Sequence, residues 1–242
     1  MARSFVSASS QYLFAAPEIL NRGPHSVMAW FRLSAAATAL NTIFAQTYET
    51  NEWYNYKLQA NVTADTVQFT AQDVGPSTSL FSSAGLTDGV WYHAGAWEAS
   101  GGGSRLVYFG GQPGTLNEVN ETPVQVDGIA IGSWPYAAVI PDVMDGDIAE
   151  VAFWNVVLTD AEFAMGAAGY SPLLIRPQSL VAYWPLWGVF SPEIDLFGGW
   201  DLTLQNAPAV ADHPPIHMPA PLVYPTHPSL YYTSPRPAHK SM

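Results

Sequence analysis

Six residues, Asp145-Gly146-Asp147-Ile148-Ala149-Glu150, carry the spacing most suggestive of chemistry in this chain. Retaining glycoside hydrolysis needs two carboxylates about 5 to 5.5 Å apart, one as nucleophile and one as acid/base. On a regular strand Asp145 and Asp147 share a face while Glu150 points away, so only a bulge would bring all three together. Asp142, Asp145 and Asp147 are also close enough along the chain to share a calcium ion, with Asp73 and Asp88 as loop alternatives. Calcium wants six to eight oxygens, and no dense D-x-D-x-D-G loop supplies them. Turns favour Asp in any case, because its side chain bonds nearby backbone N–H groups. Calcium is therefore the only cofactor in view, and none is required.

Aromatic residues supply a second kind of chemistry. Trp53, Tyr54, Tyr56, Trp134 and Tyr136 fall at or near expected loops, where exposed rings could stack on a pyranose or serve an interface. His93 lies inside an apolar run and reads as a structural histidine. His213, His217, His227 and His239 show no metal-like spacing. Gly101-Gly102-Gly103-Ser104 is followed by neither Lys nor a helical pattern, so it reads as a hairpin connection instead of a phosphate loop. With no cysteine there is no thiol nucleophile, and no G-x-S-x-G elbow is present.

Short strands separated by turn signals must position these residues. Residues 4–14 read as a first strand and Ser26–Leu33 as a second, with Val27, Ala29, Phe31 and Leu33 on one face. Thr42–Gln46, Tyr54–Gln59, Thr66–Thr70, Val90–Trp97 and Ile129–Gly132 follow, and Gly75–Ser79 reads as a loop. Ile148–Trp154 is one buried strand, after which Thr159 and Glu162 form a capping box at the start of a short helix. Ser179–Leu186 and Asp201–Pro208 are further strand candidates. From His213 the chain is rich in proline, interleaved with Leu222, Tyr224, Leu230, Tyr231 and Tyr232. Proline prevents such a segment from pairing as strands while leaving its apolar residues free to pack. It reads as an extended arm contacting its own domain or a neighbouring subunit.

At 242 residues, one large β domain with additions can bury a core without staples. A formal charge of −12 with only 8 Lys and Arg argues against tracking nucleic-acid phosphates and against anionic membranes. The N-terminal MARSFVSASSQYLF has no continuous apolar h-region and reads as mature sequence made in a cytoplasm.

Several segments together resemble a known family. Gly146–Glu162 is similar to the closing motif of laminin-G-like, concanavalin A-type jelly-roll domains. Ser26–Arg32, Asp88–Ala94, Leu106–Gly111 and Ile129–Gly132 resemble its earlier strands, in order. The resemblance spans about residues 4–165. It implies an all-β, two-sheet antiparallel jelly-roll sandwich over residues 1–170, with one short helix, an extension over 171–212 that adds strands, and a Pro-rich arm over 213–242. Some members with this fold are glucanases carrying E-x-D-x-x-E, from which this chain departs by placing Asp145 at the first position. The run from LVAYWPLWG to APAVADHPP resembles extensions in virus-particle and environmental relatives. The expectation is a non-enzymatic structural virion protein, a phage capsid decoration or cement protein. Its arm would contact neighbouring subunits, and its partners would be major capsid or other virion proteins and further copies of itself. A glycan-binding adhesin or receptor-binding module is the alternative, and a glycoside hydrolase the third reading.

Overall fold

The computed structural model describes residues 1–16, 23–50, 52–53, 55–73, 75–99, 103–118 and 126–217. In chain order the strands are β1 (Ala2–Phe5), β2 (Tyr12–Ala15), β3 (His25–Leu33), β4 (Leu40–Thr47), β5 (Asn55–Asn61), β6 (Thr66–Gln72), β7 (Pro76–Ser82) and β8 (Trp91–Glu98). There follow β9 (Arg105–Phe109), β10 (Gln112–Pro113), β11 (Gly128–Ile131), β12 (Gly146–Trp154), helix α1 (Asp160–Ala167), β13 (Leu180–Trp184), β14 (Thr203–Gln205) and β15 (Ala209–Ala211). They build two antiparallel sheets packed face to face. The eight-stranded sheet runs β10-β9-β8-β3-β12-β1-β15 with β13 also on β12, and the seven-stranded sheet runs β14-β2-β11-β4-β5-β6-β7. The expected jelly-roll sandwich is thus the observed one.

Alternation explains the core. Val27, Ala29, Phe31 and Leu33 of β3 face Leu13, Phe44, Leu58, Phe69 and Ile129 of the other sheet in one buried cluster. A second cluster lies on the opposite side of the eight-stranded sheet. There Met28, Tyr108, Ala152, Trp154 and Tyr183 are covered by Leu158, Phe163 and Ile175. Phe163 of α1 stacks on Tyr108 with centroids 3.8 Å apart. Gly95 makes room for this helix, since a Cβ there would sit 2.6 Å from the Phe163 ring. The helix starts at the expected capping box. Thr159 accepts the Glu162 N–H, and Glu162 Oε2 accepts the Thr159 N–H at 2.7 Å.

Three features depart from the sequence reading. The expected strand over residues 4–14 is two strands in different sheets, β1 beside β12 and β2 beside β11. The chain crosses between them through a 3-10 turn at Ser7–Ser9 that ends on left-handed Ser10, and Asp145 holds this turn by accepting the Ser7 N–H at 2.9 Å. The Gly75–Ser79 loop is instead the start of edge strand β7, paired with β6 from Gln72↔Pro76 to Thr66↔Ser82. An edge position tolerates proline as the first strand residue, and pairing along seven residues overrides weak local propensity. Strand β15, absent from the sequence reading, pairs with β1.

Residues after the helix complete both sheets. β13 continues the position of β1 along β12, while β14 extends the seven-stranded sheet beyond β2. Buried Arg3 and Glu193 form an ion pair between β1 and the segment after β13, and Arg3 Nη1 donates to the Pro208 carbonyl at 2.8 Å. Asp195 gathers the N–H groups of Tyr183, Phe197, Gly198 and Trp200. The arm residues Leu222, Tyr224, Leu230, Tyr231 and Tyr232 lie outside the described residues.

Candidate ligand-binding face

The seven-stranded sheet turns one face to the core and the other outward. Tyr56, Leu58 and Ala60 of β5 point inward, so Lys57 and Gln59 point out. By the same alternation Tyr12 and Phe14 of β2, Gln68 and Thr70 of β6, and Thr78 of β7 share that outer face. These polar groups are linked to one another. Gln59 Nε2 donates to Thr42 Oγ1 at 3.1 Å and to Asp142 Oδ2 at 3.0 Å, Gln68 Nε2 donates to Gln59 Oε1 at 3.2 Å, and Thr70 pairs with Thr78 at 3.0 Å.

The segment after β11 folds back over this face. Trp134 lies on Lys57 with the ammonium 3.8 Å from the ring centroid, and its indole N–H donates to Asp142 at 2.9 Å. Burial brings the Lys57 amine down to about 8, against the opposing pull of Asp142 and Glu52. Tyr136 stacks on Trp134 at 5.0 Å between centroids, and its hydroxyl donates to Glu52 at 3.2 Å. The Ala137 N–H is tied to the Glu49 carbonyl at 2.7 Å. Between the folded-back segment and β2 a cavity of ≈ 320 Å³ opens, lined by Tyr12, Phe14, Glu49, Tyr136, Val139 and neighbours. Burial, and then Glu49, raise the Tyr12 hydroxyl pKa. Half-buried rings, a carboxylate and an aromatic stack are the elements of a small-ligand cleft, and the volume is at the lower end of such sites.

The sequence candidates fall in different places. Trp134 and Tyr136 join the site. Tyr56 does not, being 2% exposed, with its hydroxyl donating to Glu98 at 3.0 Å and its ring stacked on Phe69. Trp53 is exposed, and Tyr54 lies outside the described residues. Tyr12, Phe14, Glu49 and Lys57 were not singled out from the sequence. For Tyr12, Phe14 and Lys57 the signal was the alternation in Tyr12–Ala15 and Asn55–Asn61, which puts them opposite the core residues, whereas Glu49 sits in the turn after β4 and had none.

The carboxylates do not converge. The bulge that the hydrolase geometry would need is present. The β12–β3 register shifts between Ala149 and Ala152, and Glu150 adopts a left-handed φ of 57°. Yet Glu150 is 2% exposed, accepts the Tyr183 hydroxyl at 2.6 Å and faces His213 at 3.0 Å, beneath the helix side of the molecule. Burial and the Glu150 carboxylate together raise the Tyr183 pKa well above the usual tyrosine range. Asp145 and Asp147 line a separate cleft of ≈ 530 Å³ with Arg32 and Asp88. There Asp147 accepts Arg32 Nε at 2.7 Å, and Asp145 is engaged by Ser7. Asp142 is engaged by Gln59 and Trp134. Among the described residues no group of three or more His, Asp or Glu is placed to hold a metal ion.

Solved structures share this architecture. The CBM40 module of the Ruminococcus gnavus IT-sialidase superposes with a TM-score of 0.54 at 12% identity, over 61% of this chain and 84% of its own. The same module with α2,3 sialyllactose bound also gives 0.54, over 61% and 83%. A proposed carbohydrate-binding protein from Bacteroides ovatus gives 0.63 at 16% identity, over 89% of this chain, which spans 61% of that protein. At these identities the superpositions show a shared fold. No curated protein matches the sequence. The family model described as the concanavalin A-like lectin/glucanases superfamily matches residues 7–164, and with both sheets in place the chain belongs to that laminin-G-like family.

Proposed function

We propose that the protein is a non-catalytic glycan-binding module that takes sugars on the outer face of its seven-stranded sheet, in the cavity among Tyr12, Phe14, Tyr136 and Glu49. The observation carrying this reading is the cavity itself. It joins half-buried rings, which can stack on the apolar face of a pyranose, to the Tyr12 and Tyr136 hydroxyls and the Glu49 carboxylate, which can take its hydroxyls. The likeness to the carbohydrate-binding modules supports it by analogy of fold. The separation of Asp145 and Asp147 from Glu150 weighs against hydrolysis, because the two sets open on different cavities.

Capsid decoration draws its support from the arm, whose apolar residues lie outside the described part of the chain, and the solved structures favour the glycan reading over it. Titration calorimetry of the full-length protein against a panel of oligosaccharides tests the proposal. Saturable binding that weakens in Tyr136→Ala and Tyr12→Ala, with both variants folded, is the expected result. Binding unaffected by both changes would place any glycan site elsewhere.

A further inference from the structure

The charges around the cavity restrict the kind of sugar it can take. Glu49 is exposed and lines it directly. Glu52 stands behind Tyr136, its carboxylate receiving the Tyr136 hydroxyl. Asp127 adjoins, with Oδ1 accepting the Glu49 N–H at 2.8 Å. Asp142 lies behind Trp134. Against these four carboxylates the described residues of the face offer one ammonium, Lys57, which is 7% exposed, covered by the Trp134 ring and donating to Gln72 at 3.2 Å. The described residues lining the cavity include no Lys, Arg or His. A sugar carboxylate placed here would meet like charge without a cation or guanidinium fork to receive it.

Resting on the glycan reading above, we infer that the cavity selects uncharged and ammonium-bearing sugars and rejects carboxylated ones. Its ligand class thus differs from that of the sialyllactose-bound module that shares its fold. Glu49 is the discriminating residue: free to solvent on one side and facing the cavity on the other, it can pair with a hexosamine ammonium or oppose a sialic or uronic carboxylate. Tyr12 and Tyr136 supply stacking for either class, so selection falls to charge.

Two matched probe pairs separate the effects. Lactose and 3′-sialyllactose differ by one carboxylated residue, and a β-1,4-linked glucosamine oligomer differs from its N-acetylated form by its ammonium groups. Against the full-length protein at low salt, 3′-sialyllactose should bind about tenfold or more weaker than lactose, and the glucosamine oligomer tighter than its N-acetylated form. Both gaps should narrow in Glu49→Gln and in high salt. Sialyllactose binding at least as tight as lactose would overturn the inference. So would gaps that persist in Glu49→Gln while binding remains sensitive to Tyr136→Ala, and that result would leave the glycan site standing. Binding insensitive to Tyr136→Ala, or no binding by any of the four probes, would remove the site and the selectivity together.

Discussion

The two outer faces of this sandwich have opposite fates. On the eight-stranded sheet, Met28, Tyr108, Ala152, Trp154 and Tyr183 are roofed by α1 and the segments on either side of it, and the Trp154 indole N–H is satisfied by the Ile175 carbonyl at 2.8 Å. On the seven-stranded sheet, Gln68, Thr78, Tyr12 and Phe14 remain half-buried, and among the described residues the segment from Pro135 to Ile140 leans over Tyr12 and Phe14. Both sheets come from the same alternation. What differs is whether later chain supplies an apolar lid, and a face without one can keep polar groups and rings available to a ligand. The motif most suggestive of catalysis lies on the wrong side of this division, with Glu150 buried under the lid.

The division can be broken most forcefully at Trp154. Truncation to Ala empties the centre of the covered cluster and should cost about 3–5 kcal/mol, read as a lower denaturant midpoint with an unchanged slope. A loss below 1 kcal/mol would mean that the lid contributes little.

Next in size is the dependence of stability on pH. Burial lowers His25 to about 4 and His93 to about 3, while burial raises Glu98 to about 7 despite Arg105. Between about pH 4.5 and 6.5 the unfolded chain would bind two protons at the histidines that the folded chain refuses. The folded chain would bind one at Glu98 that the unfolded chain releases. The balance, at most one proton because burial also raises Glu193, makes stability rise with pH across that window. Above about 6.5 the histidine contribution is complete, and Glu98 alone makes stability fall until about 7. Denaturant titrations from pH 4.5 to 7.5 should therefore peak near 6.5, and Glu98→Gln should remove the decline beyond the peak. Stability that falls steadily from 4.5 to 6.5 would contradict these assignments.

The open face should behave in the reverse way. Tyr136→Ala should weaken glycan binding about tenfold or more while moving the midpoint little, since the ring is half-buried beside an open cavity. Smallest is the effect of Glu150→Gln, which preserves an acceptor for Tyr183. It should cost less than about 1.5 kcal/mol and leave glycan affinity unchanged. A variant that instead abolished a glycosidase turnover of the wild type would restore the carboxylates to the site.

Much of the fold was legible in local pattern. The capping box of Thr159 and Glu162 and the motif order from β3 to β12 are carried by local sequence, and both appear. The crossing at Ser7–Ser9 was hidden because the group that anchors it, Asp145 accepting from Ser7, lies 138 residues away. The alternation of Tyr56 with Leu58 and Ala60 already assigned that tyrosine to the core, which its position near a loop obscured. The cavity had no local signature: Tyr12 and Phe14 meet Tyr136 only because the chain after β11 folds back across β2.

The most direct test of the division is a map of backbone amide chemical-shift changes in the full-length protein as a bound oligosaccharide is titrated in. The changes should cluster at Tyr12–Phe14, Glu49–Glu52 and Trp134–Ile140. A cluster at Asp145–Glu150, or at Val157–Ala161 on the covered side, would contradict the account.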